Sequence, residues 1–471
     1  MNRTAIKDTV NKVGETVTVY GWVNAIRKHG KIAFLDLRDR SGLVQAVDLT
    51  GEAFKKIGNE YVLKVVGLIK SRPEKMINPK IVTGTIEIEI KDIEVISTSL
   101  ESPFPLDTDG YDINEESRIK YRYLDLRRPR MLKNMLIRSE VTSFIRNFLK
   151  DRGFIEVETP ILTKTTPEGA RDFIVPSRLQ PGKFYALPQS PQQYKQLLMV
   201  AGLEKYFQIA RCFRDEDPRH DRAYGEFTQL DLEMSYVEQE DILNLTEELF
   251  TTLVEKLFPE KHLAQKPWPR LKYHEVIKKY GSDKPDLRKN KEDKNELAFA
   301  WILNFPLFTE QSEKDYFHGS GKAKFAPSHH MFTAPNPDDI ALLDKDPLKV
   351  RGLQHDLVLN GYEVGGGSIR IHDPKIQEKV FELIGFNKEQ KAQFEHLLTA
   401  FKYGVPPHGG IAPGIDRLLM VLLNEPSLRE VMAYPTLSSG QTSVLNAPSE
   451  ATPEQLAELH IQVSRSKKPA K

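Results

Sequence analysis

The sequence predicts an α+β protein, with a small five-stranded β-barrel at the N-terminus and a larger domain in which helices flank a mostly antiparallel sheet. Three observations predict this class. Five short segments of alternating apolar and polar residues fill the first hundred positions. An amphipathic helical pattern follows, and strands then alternate with helices towards the C-terminus. The length of 471 residues also exceeds that of one ordinary domain.

Composition narrows the class of protein. Hydrophobic residues make up 39% and charged residues 28%, which is typical of a globular protein. No stretch approaches the roughly 20 apolar residues that span a bilayer, and the N-terminus does not resemble a signal peptide. The one cysteine, Cys212, excludes an intrachain disulfide and suits the cytoplasm, and we expect a packed thiol. A net charge of +1 means that any RNA contact must come from local patches.

The five N-terminal segments predict an OB-type Greek-key barrel over residues 1–103. The strands are expected within residues 16–23, 31–37, 42–47, 60–70 and 84–96. Barrels of this type often bind single-stranded nucleic acid. A barrel that serves only as a structural cap would have the same pattern, so this alternative stays open.

Changes in composition predict the remaining boundaries. Residues 104–131 begin with a turn-rich run and continue as an arginine-rich segment, which we interpret as a hinge. The larger domain is expected at 132–463. The final residues, 464–471, carry a basic run without apolar periodicity and are expected to be disordered.

The larger domain is expected to open with a helix and a strand. Apolar residues recur at helical spacing from Lys133 to Lys150, and Gly153 ends that helix. The strand at 154–159 stops at Pro160. Taken alone this is a weak signal, because amphipathic helices often precede strands.

Charged residues on two strands and at a distant helix start suit a nucleotide site. The segments are Phe213-Arg214-Asp215-Glu216, Glu226-Phe227-Thr228-Gln229-Leu230-Asp231 and Gly414-Ile415-Asp416-Arg417. Because side chains alternate along a strand, Arg214 shares a face with Glu216, and Phe227 shares one with Asp231. A guanidinium for phosphate, a ring for stacking and carboxylates for donors suit a nucleotide lying on the sheet, approached by Arg417.

These segments resemble motifs 2 and 3 of the class II aminoacyl-tRNA synthetases, and the helix, strand and Pro160 resemble motif 1, which forms the dimer interface of that class. Four more segments narrow the resemblance to the bacterial branch of the aspartyl-tRNA synthetase family, from about residue 14 to residue 463. They are Thr166-Pro167-Glu168-Gly169-Ala170-Arg171-Asp172-Phe173, Gln189-Ser190-Pro191-Gln192-Gln193-Tyr194-Lys195-Gln196, Ser328-His329-His330-Met331-Phe332-Thr333-Ala334-Pro335 and Asn360-Gly361-Tyr362-Glu363-Val364-Gly365-Gly366-Gly367-Ser368-Ile369-Arg370-Ile371-His372.

The resemblance implies a homodimer that uses ATP and Mg²⁺ to activate L-aspartate and then charges tRNA-Asp. By residue-by-residue match, aspartate would be bound by Glu168, Ser190, Gln192, Lys195, Arg214, Asp231, His329 and Arg370. ATP would be bound by Arg214, Asp215, Glu216, Phe227, Glu363, Gly414, Ile415, Asp416 and Arg417. The catalytic residues would be Arg214, Arg417 and Glu363.

The side-chain pocket should separate aspartate from asparagine and lysine. A buried substrate carboxylate needs cationic partners, and Lys195 and Arg370 are the cations in the matching segments. A lysine pocket would need acids there, and an amide pocket would not need two cations. The alternative for Lys195 is a lysine on the surface of a helix. An asparaginyl or lysyl enzyme, or an inactive paralogue that binds RNA or aspartate, is the rival function.

A predicted hairpin carries the candidate metal ligands. Asn360-Gly361 favours a two-residue turn, which would bring Asp356 and Glu363 to one face as diagonal neighbours. Two carboxylates with ATP phosphates suit Mg²⁺, although two solvated acids would fit the same pattern. Because Glu363 and Arg370 must share a face, we expect a bulge at Gly365-Gly366-Gly367. Adjacent His329 and His330 lack a third ligand at zinc spacing.

In the barrel, the resemblance implies that Arg27, His29, Phe34 and Gln45 read the anticodon. Ring and arginine contacts to unstacked bases make physical sense, although by pattern alone Phe34 would be a core residue. Relaxed members of the family, which also charge tRNA-Asn, often carry histidine at the position of His29. A neutral imidazole both donates and accepts, so we consider charging of both tRNAs, with a solvated loop histidine as the equal alternative.

The sequence departs from the family at two places. A short charged linker, residues 289–295, stands where bacterial members usually carry a large insertion domain. The loop between the motif 2 strands lacks a glutamine that is common there and is one residue longer, at Asp221-Arg222-Ala223-Tyr224-Gly225-Glu226.

Overall fold

The computed structural model describes residues 3–29, 32–165, 168–217, 219–222, 224–311 and 323–464. Within it the chain forms two compact units, Met1–Leu132 and Lys133–Lys471. Apart from Ser464, the segment expected to be a disordered tail lies outside the described residues. Among the described residues, no helix has both the length and the apolar character required to cross a membrane.

The first unit contains a closed five-stranded barrel, as predicted. Its strands are β1 (Thr16–His29), β2 (Ile32–Asp39), β3 (Gly42–Asp48), β4 (Val62–Ser71) and β5 (Ile86–Ser97). They close in the order β1-β2-β3-β5-β4. Alternate residues such as Val19, Leu35 and Val65 are fully buried in the barrel core, which explains why the period-two pattern was readable in the sequence.

The arginine-rich segment after the barrel is a buried ionic cluster. It includes the short helices α1 (Glu115–Lys120) and α2 (Arg122–Asp125). The Asp125 carboxylate is fully buried and accepts from Arg118 Nε at 3.0 Å, Arg122 Nη1 at 2.8 Å and Arg128 Nε at 2.7 Å. Burial alone would raise the pKa of Asp125, but these guanidinium groups lower it below its ordinary value. These three arginines are therefore part of the packed interior of the first unit, and the interpretation of residues 104–131 as a hinge stays a prediction.

The second unit is built on an eight-stranded sheet. Its strands are β6 (Ile155–Glu156), β9 (Lys205–Arg214), β10 (Gly225–Ser235), β12 (Arg270–Lys272), β14 (Phe299–Leu303), β17 (Gln354–Leu359), β18 (Tyr362–Ile369) and β19 (His408–Pro413). They lie in the order β12-β14-β17-β18-β19-β10-β9-β6. The five internal pairings are antiparallel and the two edge pairings are parallel, so the mostly antiparallel prediction is confirmed.

Three small two-stranded sheets and the helices complete the second unit. The further strands are β7 (Ile174–Pro176), β8 (Phe184–Ala186), β11 (His262–Leu263), β13 (Glu296–Leu297), β15 (Phe308–Glu310) and β16 (Phe325–Pro327). The helices are α3 (Pro129–Lys150), α4 (Gln192–Val200), α5 (Gln239–Leu257), α6 (Tyr273–Tyr280), α7 (Pro374–Leu383), α8 (Lys388–Ala392), α9 (Glu395–Phe401), α10 (Ile415–Leu422) and α11 (Pro453–Glu458). Short 3₁₀ helices occur at Ile6–Asn11, Glu74–Met76, Pro337–Leu342, Pro347–Lys349 and Leu428–Val431.

The opening helix and strand of the second unit differ in length from the prediction. Helix α3 begins four residues earlier than expected, at Pro129, because a proline is well suited to the first turn of a helix. Strand β6 covers only Ile155–Glu156, where a strand at 154–159 was expected. It lies at the sheet edge, where one parallel neighbour, β9, supplies its ladder.

The hairpin of β17 and β18 contains an irregularity one residue before the predicted place. Leu359 pairs with Tyr362 and Val358 with Glu363, as expected, but Leu357 then pairs with Gly365, so Val364 is the extra residue. The three glycines pair regularly, so the prediction of a bulge at them is wrong. Gly365 and Gly367 allow close contact with β19, because a Cβ on Gly365 would lie 2.9 Å from Pro413 Cα and one on Gly367 would lie 2.1 Å from the Gly410 carbonyl oxygen.

Candidate active site

A cavity of about 330 Å³ lies over the central strands of the second unit. Its lining includes all eight residues matched to aspartate binding: Glu168, Ser190, Gln192, Lys195, Arg214, Asp231, His329 and Arg370. It also includes seven of the nine matched to ATP binding: Arg214, Glu216, Phe227, Glu363, Gly414, Asp416 and Arg417. Residues separated by almost 250 positions, such as Glu168 and Arg417, therefore meet in one site.

Two of the expected nucleotide residues do not line the cavity. Asp215 turns away and lies 3.5 Å from the Arg171 guanidinium, since neighbours in an extended chain point to opposite faces. Ile415 is 1% exposed and packs in the hydrophobic core at the start of α10. Neither side chain therefore faces the cavity, and the contact of these two residues with ATP stays a prediction.

The floor of the cavity is a fully buried network of four charges. Lys195 Nζ lies 3.1 Å from Asp231 Oδ2 and 3.2 Å from Glu233 Oε2. Arg370 donates through Nε and Nη2 to the two oxygens of Glu233, at 3.0 and 3.2 Å. Lys195 is 1% exposed, so the alternative of a surface lysine is wrong. The bidentate partner of the Arg370 fork inside the protein is therefore Glu233.

Burial acts differently on the two acids of this network. It raises the pKa of Asp231, and the single ammonium of Lys195 does not overcome the effect. Burial also acts on Glu233, but Arg370 and Lys195 together lower its pKa to about 2. Glu233 is thus a permanent anion that holds both cations in position, while Asp231 lies at the cavity wall.

One wall of the cavity is built from the loop after Pro167 and the start of α4. Ser190 Oγ donates to Glu168 Oε2 at 2.8 Å. Gln189 holds this loop in place, because its side-chain amide exchanges hydrogen bonds with the backbone of Ala170 at 3.0 and 2.8 Å. Gln192 is buried and donates to Gln196 at 3.1 Å. Thr166 and Pro167, at the start of the same segment, lie outside the described residues.

The opposite wall comes from the ends of β9 and β10. Arg214 stacks over the ring of Phe227, with 5.0 Å from Cζ to the ring centroid. Glu216 lies 3.3 Å from Arg222 Nη1. Cys212 is completely buried beside this wall and donates to Gln229 Oε1, and burial raises the pKa of its thiol to about 12. It is a packed thiol, as expected.

The start of α10 closes the far end of the cavity. Arg417 donates to the backbone oxygens of Glu363 and Asp221, the latter at 3.1 Å. Asp416 is 2% exposed and accepts from the backbone N–H of Thr228 at 2.8 Å and from Arg138 at 2.5 Å. Asp416 therefore fixes α10 against β10, which orients Arg417 towards the cavity.

The candidate metal ligands Asp356 and Glu363 converge at this end. If Gly366 carried a Cβ, that atom would lie 3.1 Å from Asp356 Oδ1 and 3.9 Å from Glu363 Oε1. Asp356 is 3% exposed, and its Oδ1 has no hydrogen-bond partner among the described residues, so the reading of two solvated acids is wrong for Asp356. Two converging carboxylate oxygens, one of them unsatisfied, fit a Mg²⁺ ion that keeps further oxygen ligands from a substrate.

The other oxygens of the two acids have cationic partners. His329 Nε2 lies 3.1 Å from Asp356 Oδ2. Burial opposes protonation, but the Asp356 carboxylate raises the pKa of His329 to about 9. Lys284 Nζ lies 2.9 Å from Glu363 Oε2. Within the part of the chain that the structure describes, no three His, Cys, Asp or Glu side chains are grouped to hold a metal ion.

The four barrel residues expected to contact RNA lie on its outer face or at its edge. Arg27 is paired with Phe34 across β1 and β2 and forms a bidentate ion pair with Asp36, at 2.6 and 2.8 Å. Phe34 is partly exposed and lies opposite to the core positions, so the core reading is wrong. His29 contacts the Phe34 ring edge to face, with centroids 6.2 Å apart. Gln45, on β3, pairs with Asp36.

Three residues of the site were not identified from the sequence. Glu233 was overlooked although it alternates with Asp231 on β10 and so shares its face. Gln189 and Lys284 lie in loops, where no periodicity indicates direction. The sequence could have indicated Gln189 as a site residue only through its position beside Ser190. For Lys284 the only indication was its place before the shortened linker.

Comparison with known proteins identifies what the chain resembles. A family described as "tRNA synthetases class II (D, K and N)" matches residues 114–438, and one described as "OB-fold nucleic acid binding domain" matches residues 17–96. Among solved structures, the asparaginyl-tRNA synthetase of Entamoeba histolytica in complex with asparaginyl-adenylate aligns with a TM-score of 0.74. At 24% identity, over 92% of this chain and 97% of that one, it shows a shared fold.

Curated relatives are much closer in sequence. Proteins named Aspartate--tRNA(Asp/Asn) ligase from Dictyoglomus turgidum and Rubrobacter xylanophilus are 42% and 41% identical. The alignments cover 96% of this chain and 96% and 95% of those proteins. They extend over 580 positions, which exceeds the 471 residues of this chain, so the relatives contain positions that this chain lacks.

Proposed function

This chain belongs to the class II tRNA synthetases of the aspartate, lysine and asparagine group, and we propose that it acts as an aspartate–tRNA ligase. It activates L-aspartate with ATP to form aspartyl-adenylate and pyrophosphate. It then transfers the aspartyl group to the 3′ end of tRNA-Asp, as the names of its relatives indicate.

The observation that carries this proposal is the pair of buried cations Lys195 and Arg370 at the cavity floor. Glu233 balances one of their charges and Asp231 the other. A substrate that adds a carboxylate to this floor and an ammonium near Asp231 leaves the site balanced. Aspartate meets both conditions, whereas asparagine lacks the anion and lysine brings a second cation.

The rest of the amino-acid site follows from the same charges. The α-ammonium group of the substrate would find acceptors in Glu168, Ser190, Gln192 and Asp231. His329 lines the cavity beside Asp356 and would contact the substrate or its phosphates. Hydrogen bonds from charged groups in a dry site are the stronger kind, which favours a single bound orientation.

Activation needs positioning and charge stabilisation. One oxygen of the substrate α-carboxylate attacks the α-phosphorus of ATP, and the bond to the bridging oxygen breaks as pyrophosphate leaves. Arg214 would hold the carboxylate and the α-phosphate, and Arg417 the γ-phosphate. Glu216 and Phe227 would hold the adenine, because both line the cavity and offer a hydrogen-bond acceptor and an aromatic ring.

Asp356 and Glu363 would hold a Mg²⁺ ion, since one carboxylate oxygen of each lies close to Gly366. When bound, such an ion neutralises phosphate charge and orients the polyphosphate. His329 keeps the second oxygen of Asp356 occupied and so fixes the direction of the carboxylate towards the cavity.

The barrel would bind the anticodon loop, and we extend the substrates to tRNA-Asn. Arg27, Phe34 and Gln45 present a cation, a ring and an amide on one outer face. His29 packs beside Phe34, where an imidazole can donate to one base or accept from another. Both curated relatives carry Asp and Asn in their names.

We also propose a homodimer that functions in the cytoplasm. Large apolar side chains are exposed near β6 and β7 of the second unit, among them Ile155 at 48%, Leu162 at 52% and Ile174 at 56%. A patch of this kind marks an interaction surface, and a second copy would cover it. Light scattering of the purified protein should give twice the mass of the chain.

Aspartate-dependent exchange of pyrophosphate into ATP tests the activity. We expect exchange with L-aspartate and none above background with asparagine or lysine. Aminoacylation of tRNA-Asp should follow. Exchange that depends on asparagine or lysine would refute the specificity, and no exchange with any amino acid would indicate an inactive paralogue.

A further inference from the structure

We propose that Lys284 is a further substrate-binding residue, which contacts the β- and γ-phosphates of ATP and neutralises pyrophosphate as it leaves. This role rests on the proposed function, because it concerns the same cavity and the same reaction. Lys284 lies in the loop after α6 and was not among the residues that the sequence indicated. Four features of the structure support the assignment.

The first feature is position. Lys284 lines the cavity at the end that also contains Glu363 and Arg417. Its Nζ lies 2.9 Å from Glu363 Oε2, and the side chain is 35% exposed. An ammonium group has three donors, and among the described residues Glu363 is the one side chain that pairs with Lys284. Two N–H groups therefore remain for a ligand in the cavity.

The second feature is that the loop is held rigidly. Asp286 accepts from the Arg288 backbone N–H at 3.2 Å and from its guanidinium at 3.0 and 2.8 Å. The same aspartate packs under the β17–β18 turn, since a Cβ on Gly361 would lie 3.4 Å from Asp286 Cβ. The loop that carries Lys284 therefore lies directly against the hairpin that carries Glu363.

The third feature is the state of the other cations at this end. Arg222 lies 3.3 Å from Glu216, Arg219 lies 3.3 Å from Asp221, and Arg417 lies 3.9 Å from the same Asp221 carboxylate. A triphosphate brings several negative charges, and each of these arginines is already paired with an acid, as Lys284 is with Glu363, so several cations must act together to compensate the triphosphate. A lysine with two unused donors supplies a point charge of the kind that phosphate sites use.

The fourth feature is the direction in which charge moves in the reaction. When the Pα–O bond to the bridging oxygen breaks, its electron pair goes to the pyrophosphate oxygen. Negative charge therefore grows at the end of the cavity where Lys284 and Arg417 lie. A fixed cation at this end stabilises the transition state more strongly than it stabilises bound ATP. Its loss should therefore reduce both the affinity for ATP and the rate of activation.

Replacing Lys284 by methionine keeps most of the stem and removes the charge. For Lys284→Met in the full chain we expect the KM for ATP and the KM for pyrophosphate in exchange to rise about 10- to 100-fold, as for a lost hydrogen bond to a charged group. Isothermal titration calorimetry with inorganic pyrophosphate should show a similar loss of affinity. The affinity for aspartate should not change.

Transfer of the aspartyl group supplies a readout that separates this role from a structural one. Pyrophosphate has left before transfer, so enzyme–adenylate complex isolated from Lys284→Met should charge tRNA-Asp at the wild-type rate. Lys284→Arg should recover part of the ATP affinity. Lys291→Met is the matched control, because Lys291 is exposed in the neighbouring linker and does not line the cavity.

Two results would overturn the assignment. Unchanged affinity of folded Lys284→Met for ATP and pyrophosphate would show that Lys284 only pairs with Glu363. An equal loss in the transfer step would show that the residue supports the fold or the tRNA site. If the wild-type enzyme gives no aspartate-dependent exchange, the proposed function fails separately, and calorimetry with pyrophosphate still decides the role of Lys284.

Discussion

The ion pair between Arg370 and Glu233 provides the sharpest test of the cavity floor. Glu233 is completely buried and touches both Arg370 and Lys195. Replacing Arg370 by leucine removes the bidentate partner of this anion and, if the proposed function holds, the main partner of the substrate carboxylate. Stability and aspartate activation should therefore both fall, for two separable reasons.

Two independent considerations give the loss of unfolding free energy that is expected for Arg370→Leu. Burial alone would raise the pKa of Glu233, yet its cationic partners lower it from 4.5 to about 2, which corresponds to roughly 3 kcal/mol in favour of the folded state at neutral pH. Breaking a buried ion pair typically costs about 3–5 kcal/mol. We therefore expect Arg370→Leu to lose on the order of 3 kcal/mol of unfolding free energy.

A second substitution separates stability from function. In Arg370→Leu/Glu233→Gln the uncompensated anion is gone, while Lys195 keeps Asp231, so urea unfolding should return most of the way to wild type. Pyrophosphate exchange with aspartate should remain lost in both variants. Near-normal exchange in the double variant would refute the pocket assignment, and an undiminished unfolding free energy in the single variant would refute the ion pair.

The pH dependence of stability has a definite sign. Because the folded-state pKa of Glu233 lies below its ordinary value, its contribution is present above about pH 4.5 and is lost as the pH falls towards 2. Wild type should therefore lose stability relative to Arg370→Leu/Glu233→Gln over that interval, so that their difference in unfolding free energy shifts in favour of the variant. A difference that stayed constant from pH 5 to pH 2 would contradict the linkage.

Three further outcomes are expected. Asp125→Asn leaves buried arginines without their shared anion and should lower the unfolding free energy by about 3–5 kcal/mol in thermal or urea unfolding; a change below 1 kcal/mol would contradict this. Gly367→Ala drives a methyl group to 2.1 Å from the Gly410 carbonyl oxygen and should destabilise by at least about 1–3 kcal/mol, whereas the control Gly414→Ala meets no atom closer than 4.0 Å and should not. His29→Leu should reduce kcat/KM for tRNA-Asn about tenfold relative to tRNA-Asp in aminoacylation; an equal effect on both tRNAs would exclude discrimination by His29.

Much of the fold could be predicted because its strands are half-buried. In the barrel, residues such as Val19 and Leu35 face inward at every second position, and alternation is readable without any structure. The position of the bulge was harder to predict. Glu363 and Arg370 are seven positions apart, so an extra residue between them was needed for both to face the same side of the sheet, but the sequence did not indicate its place. We placed the bulge at the glycines because glycine tolerates unusual backbone dihedrals. In the structure the bulge lies at Val364, and Gly365 and Gly367 instead allow close contact between strands.

The residues of the site likewise fall into those that could be predicted from the sequence and those that could not. Residues on strands and helix starts, such as Phe227 and Arg417, could be assigned a direction and do line the cavity. Glu233 and Lys284 depend on contacts between segments far apart in sequence, and a lone charged residue in a sequence is most often solvated. The fork of Arg370 was expected to be open for substrate, and only the coordinates reveal that Glu233 occupies it.

The linker at 289–295 has a consequence for how such proteins gain and lose domains. Glu296, just after the linker, accepts the backbone N–H groups of Lys289 and Asn290 at 3.0 and 2.9 Å, so one carboxylate joins its two ends. A segment whose entry and exit are clamped together can be exchanged for any domain with adjacent termini without moving the strands on either side. The junction is thus a site at which a foreign folded domain could be inserted while the ion pair of Asp286 and Arg288 holds the loop that carries Lys284 in place.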